Sequence, residues 1–322
     1  MATTLTPELE QQLESHRKEL TAYCYRMLGS GFEAEDAVQE TLVRAWRAID
    51  RLEERAAMRS WLYRIATNVC LDMMQSSQRR ARPMDLGSPS TADNALGPEL
   101  PEQNWVLPVA DARVMPTGSD PAEVASARET IRLAFVAALQ HLPPKQRAVL
   151  ILREVLRWQA TEVAELLDTS VASVNSALQR ARATIDTVAP EASGPVAVDS
   201  EQKELLAKYV DAFERYDVSE LVTLLHEDAT FSMPPYELWL QGPDQVSRWM
   251  LGPGIGCRGS RLLTTWANGS PAVGIYKTAE PGVWRPFNLA VLEVSDGRIA
   301  AVQNFLYTEL FPAFGLPTVI EE

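Results

Sequence analysis

Between Val171 and Ile185 the chain reads VASVNSALQRARATI, a stretch with two arginines and no acid in a protein of formal net charge −13. Ser173, Asn175, Ser176, Gln179, Arg180 and Arg182 fall on the polar positions of this stretch. Asn and Gln amides pair with adenine edges, hydroxyls adapt to several groups, and Arg reaches guanine or phosphate. The chemistry these residues offer is hydrogen bonding to nucleic acid. From Arg59 to Arg82 the bases Arg59, Arg64, Arg79, Arg80 and Arg82 face a single acid, Asp72. With Trp61, Tyr63 and Asn68 they combine cations, aromatic rings and an amide, a mixture suited to opened single strands. A cationic helix end complementing its own dipole has the same composition. A third set, Asp36, Gln39, Glu40 and Arg44, makes a charged face with no chemistry of its own, and by pattern alone it reads equally as a solvated helix side.

These residues need helices to hold them. Val38, Leu42, Ala45, Trp46 and Ile49 recur at helical spacing and predict an amphipathic helix that turns Asp36, Gln39 and Glu40 outward. In MRSWLYRIATNVCLDMMQSSQRRAR, the residues Trp61, Leu62, Ile65, Ala66, Val69 and Cys70 supply a buried face and leave Tyr63, Arg64 and Asn68 at the surface. Asp120 and Pro121 open a helix through DPAEVASARETIRLAFVAALQHL, and Pro143 and Pro144 break the chain before the next one. QATEVAELL, the turn DTS and VASVNSALQRARATI then follow with Val171, Val174, Leu178, Ala181 and Ile185 inward. That is the layout of a helix-turn-helix, although a plain three-helix core with a basic face fits the same pattern.

Composition sets limits. At 322 residues and 46% hydrophobic the chain supports more than one core. No apolar run is long enough for a membrane span, and MATTLTPELEQQLESHRKEL reads as an amphipathic helix rather than a signal peptide, so a cytoplasmic protein without membrane contact is expected. Cys24, Cys70 and Cys257 lie far apart, and with three histidines no zinc spacing exists; neither a metal nor a cofactor is expected. Residues 83–125 are rich in Pro, Gly and Ser and carry seven acids against Arg113, so they cannot fold alone and read as a linker. VAPEASGPVAV marks a second join at 188–198, giving modules at 1–82, 126–187 and 199–322.

Taken together, residues 10–82 and 126–187 resemble the two conserved domains of an extracytoplasmic-function sigma factor of bacterial RNA polymerase. DAVQETLVRAW is similar to the polymerase-clamp-binding helix, SWLYRIATNVCLD to the promoter-melting helix, and LPPKQRAVLILREVLRWQATEVAELLDTSVASVNSALQRARATI to the domain that reads the upstream promoter element. The resemblance implies that Asp36, Gln39 and Glu40 contact the clamp helices of the largest subunit of core RNA polymerase. It places Trp61, Arg64, Asn68, Arg79, Arg80 and Arg82 on the melted minus-ten element. It further implies that Arg147 and Arg153 hold phosphates, while Ser173, Asn175, Ser176, Gln179, Arg180 and Arg182 meet the minus-thirty-five element of promoter DNA. Leu52 stands where the family often has a bulky aromatic, which weakens stacking on a flipped base. The acidic segment around NWVLPVAD resembles the stretch that threads the polymerase cleft.

The last module opens with the helices SEQKELLAKYVDAFERYD, VSELVTLL and GPDQVSRWML and then alternates, with SDG as a hairpin turn. It resembles the SnoaL-like branch of the nuclear-transport-factor-two superfamily. The expected fold is therefore two all-α sigma domains, the second with a helix-turn-helix, followed by an α+β cone. Trp239, Trp249, Trp266, Trp284 and Phe287 are candidates to line an apolar pocket, although aromatics at such positions also build ordinary cores. His226, Asp228, Arg285 and Asn288 are the groups a SnoaL-like enzyme would use, but no motif joins them and no catalytic set is assigned. The cone is expected to serve regulation, through a small ligand or a protein contact. Three classes compete: a promoter-specificity subunit, a free-standing repressor, and an enzyme with a DNA-binding appendage. The clamp-binding face and strand-melting helix favour the first, since a repressor needs neither.

Overall fold

The computed structural model describes residues 7–52, 57–75, 79–116, 120–188 and 199–322. Most of the expected join at 188–198 lies outside them. The chain forms two compact units, one of residues 1–80 with 113–190 and the other of residues 81–112 with 191–322.

The first unit is helical. It begins with α1 (Pro7–Ser15), α2 (Arg17–Leu28), α3 (Gly31–Ala48) and α4 (Met58–Met73). Helix α2 is buried on all sides from Leu20 to Leu28 and forms the axis of the bundle. It ends at Gly29, whose φ of 75° needs glycine and whose N–H returns to the Tyr25 carbonyl. Ser30 then caps α3 by accepting from Glu33 N at 3.4 Å. After α5 (Asp111–Val114) come α6 (Pro121–Glu129), α7 (Leu133–Leu139), α8 (Pro144–Leu150), a π turn at Ile151–Val155, α9 (Ala160–Leu166) and α10 (Val171–Val188).

Four details differ from the sequence reading. Trp46, expected inside, is 40% exposed. Tyr63, expected outside, is buried with its ring 5.2 Å from that of Tyr23 and 5.1 Å from that of Trp158, because α4 is covered on two sides. Val171 is 38% exposed at the start of α10, where the inward residues are Val174, Leu178 and Ala181. The single helix expected after Asp120 is broken between α6 and α7: Arg26 donates to the Thr130 carbonyl at 2.9 Å and to Thr130 Oγ1 at 2.8 Å, and so occupies acceptors where the helix stops.

The second unit is built on a mixed sheet. Helices α11 (Asp199–Glu214) and α12 (Val218–Thr223) precede β1 (Leu225–Ser232) and β2 (Trp239–Gln241). After α13 (Pro243–Leu251) come β3 (Arg261–Ala267), β4 (Ser270–Glu280), β5 (Val283–Ser295), β6 (Arg298–Phe305), α14 (Leu310–Ala313) and β7 (Ile320–Glu321). Strand order is β2-β1-β6-β5-β4-β3, with β7 on β5 and β1 parallel to β6. Two of its hairpins turn on a pair of left-handed residues. Asn268 and Gly269, at φ 55° and 71°, join β3 to β4, and Asp296 and Gly297, at 50° and 72°, join β5 to β6. Leu206, Phe213 and Leu221 of the helices pack on Val273, Ile275, Ala290, Leu292 and Val302 of the sheet.

Residues 81–112, all but the first two of them read from sequence as part of a linker, belong to the same compact unit as this domain. Their composition forbids a core of their own, so they use that of the sheet domain. Ser90 N donates to the Trp239 carbonyl at 2.8 Å, Leu100 N to the Pro235 carbonyl at 2.9 Å, and Ala92 joins a cluster with Met233, Leu238, Leu240 and Trp249. Further along, Val109 N donates to Asn268 Oδ1 at 3.0 Å, Asn268 N donates back to the Val109 carbonyl at 3.1 Å, and Asp111 Oδ1 accepts from Gly269 N at 2.8 Å. The strap thus closes the β3–β4 turn. Trp105, Val106, Leu107, Val109 and Ala110 are all buried. Trp105→Ala is expected to cost about 3–5 kcal/mol of stability, the usual loss for a fully buried large aromatic; the shift of the urea midpoint measures it.

Candidate nucleic-acid interface

In α3 the residues Asp36 and Gln39 are exposed and Glu40 is half-buried. Arg44 Nε lies 2.7 Å from Glu40 Oε1, an exposed pair that leaves the face solvated. Trp46 shares this side, seven residues from Gln39, and its exposure adds an apolar anchor that the hydrophobic pattern had assigned to the core. The signal that distinguishes it was its position one step off the buried stripe of Val38, Leu42 and Ala45.

The expected minus-ten residues divide. Trp61 is half-buried, while Arg64 and Asn68 are exposed on α4. Arg64 donates to the Glu165 carbonyl at 3.0 Å and lies 3.7 Å from the Glu165 carboxylate. Trp61 and Arg64 line a groove of about 650 Å³ with Arg59, Arg157, Trp158, Glu162 and Glu165, so the melting helix faces α9. Arg59 lies over both Tyr63 and Trp158, 5.2 and 5.7 Å from the ring centroids. Arg79 is exposed beside His141, 3.1 Å from its Nδ1. Arg80 is not available to DNA in this conformation: it is buried in an ion pair with Glu33 at 2.5 Å. Arg82 belongs to the other compact unit and pairs with Asp85 at 3.0 Å. Arg80 and Arg82 are thus each committed to a carboxylate of their own unit.

Arg147 requires the plainest correction. Expected at a phosphate, it is 5% exposed. Its guanidinium donates to the Met27 carbonyl, to Gln140 Oε1 at 2.6 Å, and to the carbonyls of Gln140 at 3.2 Å and Leu142 at 3.1 Å. Burial pulls its pKa down to about 10, which leaves it charged at neutral pH. The reason for its position is that Met27 lies in the last turn of α2, where carbonyls without helical partners and the negative dipole end attract a cation. Arg26 repeats the device from the other side, with its pKa also lowered by burial to about 10. Arg153 is half-buried and donates to the Trp158 carbonyl, so it too is turned from solvent.

The recognition helix is open. Ser173, Asn175, Ser176, Gln179, Arg180 and Arg182 are all exposed on α10. Arg182 lies 2.5 Å from Glu154, and Ser170 Oγ caps the helix by accepting from Ser173 N at 3.1 Å. Asp168 turns the chain at φ 49°. A short helix, a four-residue turn and a longer helix with an amide, hydroxyl and arginine face make a DNA-reading module.

In the sheet domain the five aromatics do not converge. Trp239 donates to the Gly87 carbonyl at 2.9 Å, Trp249 packs with Leu238 and Leu240, and Trp266 lies opposite Pro271. Trp284 donates to the Gly259 carbonyl at 3.0 Å, and Phe287 lies under Lys277 Nζ at 3.5 Å. Asn288 is buried and donates to Asn304 at 2.9 Å, whereas Asp228 and Arg285 are exposed. Among the described residues no cluster of His, Cys, Asp or Glu could hold a metal, and no helix is long and apolar enough to cross a membrane.

A DNA-reading helix-turn-helix, preceded by a bundle whose basic helix suits opened strands, defines a promoter-recognising transcription protein. Family models agree: Sigma-70 region 2 matches residues 13–80, Sigma-70 region 4 matches 132–185, and the SnoaL-like domain matches 206–302. The chain is 46% identical over 308 residues to the ECF RNA polymerase sigma factor SigG of Mycobacterium tuberculosis, covering 94% of this chain and 82% of that one. It is 29% identical to SigJ of the same organism, over 93% and 92% of the two chains. The crystal structure of SigJ superposes with a TM-score of 0.61 at 25% identity, covering 96% of this chain and all of that one. The chain belongs to the extracytoplasmic-function family of RNA polymerase sigma factors. It directs RNA polymerase to promoters to initiate transcription, and a SnoaL-like domain follows its two sigma regions.

Removing Arg147 leaves several buried carbonyls and an amide without a donor. Arg147→Met is therefore expected to destabilise the helical unit by about 2–3 kcal/mol, read as a lower denaturant midpoint and faster amide exchange across α2 and α8.

Proposed function

We propose that the α3 face carrying Asp36, Gln39, Glu40 and Trp46 docks on the clamp helices of core RNA polymerase, and that docking delivers the recognition helix to the minus-thirty-five element. The observation that supports this is the pairing of an exposed tryptophan with acidic and amide neighbours on a helix otherwise committed to the core. Charge supplies rate and orientation, and the ring supplies desolvated area. The order of events matters for a chain of net charge −13, which gains little from counterion release on free DNA and is brought to the promoter by the polymerase.

In this reading Trp61, Arg64 and Asn68 meet the melted minus-ten strand once α4 is freed from α9. The partners they have here, above all the Glu165 carbonyl on Arg64, must be exchanged for DNA. Arg147, spent on carbonyls inside the helical unit, has no part in this exchange. The SnoaL-like domain modulates activity by holding the acidic segment 81–112, which the sigma resemblance assigns to the polymerase cleft. Its hydrogen bonds to Asn268, Gly269 and Trp239 support this role.

Trp46→Ala is expected to weaken core binding at least tenfold, by the usual worth of an interfacial tryptophan, and Asp36→Ala with Glu40→Ala to slow association at low salt. Both are measured by titrating labelled protein with core polymerase; undiminished affinity in the Trp46 variant overturns the docking face. Truncation after Pro190 is expected to change promoter output in transcription with purified core, and equal output across a promoter library counts against regulation by the C-terminal domain.

A further inference from the structure

The recognition helix begins on two apolar residues outside its buried stripe. Val171 is 38% exposed, and Ala172 beside it is exposed as well. The inward side of α10 starts only at Val174 and continues through Leu178 and Ala181. A β-branched residue in the first turn gains nothing in helix propensity, and the exposed part of the Val171 side chain gains nothing from burial. The cap needs neither of them, since Ser170 Oγ already accepts from Ser173 N.

Their place on the helix gives them a use. In a helix-turn-helix the N-terminal residues of the second helix reach furthest into the major groove. Asn175 and Ser176 stand one turn further along, both exposed, and Gln179 one turn beyond them. The face therefore has an apolar end followed by an amide and hydroxyl stretch. In the major groove the apolar feature that distinguishes one base is the C5-methyl group of thymine. The positive end of the α10 dipole lies at the same end and favours close approach to the phosphate-lined groove.

We propose that Val171, with Ala172, reads a thymine methyl group at the end of the minus-thirty-five element next to the bases met by Asn175 and Ser176. This rests on the promoter-recognition reading above and adds a specificity-determining contact to it. The contact is one of van der Waals burial and involves no hydrogen bond. Its worth is that of one buried methyl group, about 0.8 kcal/mol, or about fourfold in promoter output.

The test uses holoenzyme assembled from core polymerase and the full-length chain, on a promoter selected from a library. Each thymine of the minus-thirty-five element, on either strand, is replaced singly by uracil, which removes only the methyl group. One replacement is expected to lower output about fourfold for the unaltered protein. Val171→Ser is expected to lower output on the thymine promoter and to make thymine and uracil equivalent within twofold, while Val171→Ile keeps the discrimination. Gln179→Ala should weaken transcription yet retain sensitivity to uracil. Core affinity of Val171→Ser should be unchanged, which separates a lost base contact from a misfolded helix. Indifference of the unaltered protein to uracil at every position overturns the inference, as does full discrimination in Val171→Ser or a selected element without thymine. Failure to transcribe from any promoter would instead overturn the functional reading on which the contact depends.

Discussion

A charged guanidinium enclosed by carbonyl groups organises the helical unit. Isolating Arg147 from water carries a desolvation cost of several kcal/mol, and no carboxylate is among its hydrogen-bond partners in the described residues. What offsets the cost is the end of α2, where helix carbonyls lack internal donors, together with the Gln140 side chain. Gly29 makes the approach possible. A Cβ there would stand 3.1 Å from the Gln140 carboxamide, and its φ of 75° already excludes most side chains. Arg26 ties the break between α6 and α7 to the same helix, so two buried cations join the two sigma regions into one unit.

This arrangement sets the state of the other cationic groups. Arg64, Arg80 and Arg147 each have an acceptor within the chain: a carbonyl, a carboxylate and a set of helix-end carbonyls. On the exposed face of α10, among the described residues, Arg182 is the cation in an ion pair, with Glu154. The melting helix and the recognition helix are thus in different conditions within one compact unit. One is engaged with its own chain, the other open to solvent.

The sheet domain shows how a segment that cannot fold alone acquires structure. Residues 81–112 contribute Ala92 to an apolar cluster and lend backbone groups to the Asn268–Gly269 turn, whose left-handed residues point their amides outward. The aromatic residues that a pocket would gather are spread over separate strands, a helix and the strap contact. Inside the domain Asn288 donates to Asn304 Oδ1, and Asn304 donates in turn to the Ser232 carbonyl, a chain of buried amides that ends on the backbone of β1.

Local pattern alone determined a good deal. The period of Val38, Leu42 and Ala45, the cap at Asp120, the Pro143–Pro144 break, the helix-turn-helix spacing and the Asp296–Gly297 hairpin are each governed by residues close in sequence, and the family resemblance followed from their order. Tertiary structure decided what covers each surface. Helical phase gives Trp46, Tyr63 and Val171 a direction, but whether a second element lies across from them depends on contacts distant in sequence. It also cannot tell a phosphate-seeking arginine from one whose acceptor is a helix end 120 residues away, as for Arg147 and Met27. A guanidinium offers the same donors to a phosphate and to a carbonyl cluster, and only the folded chain brings one of them within reach.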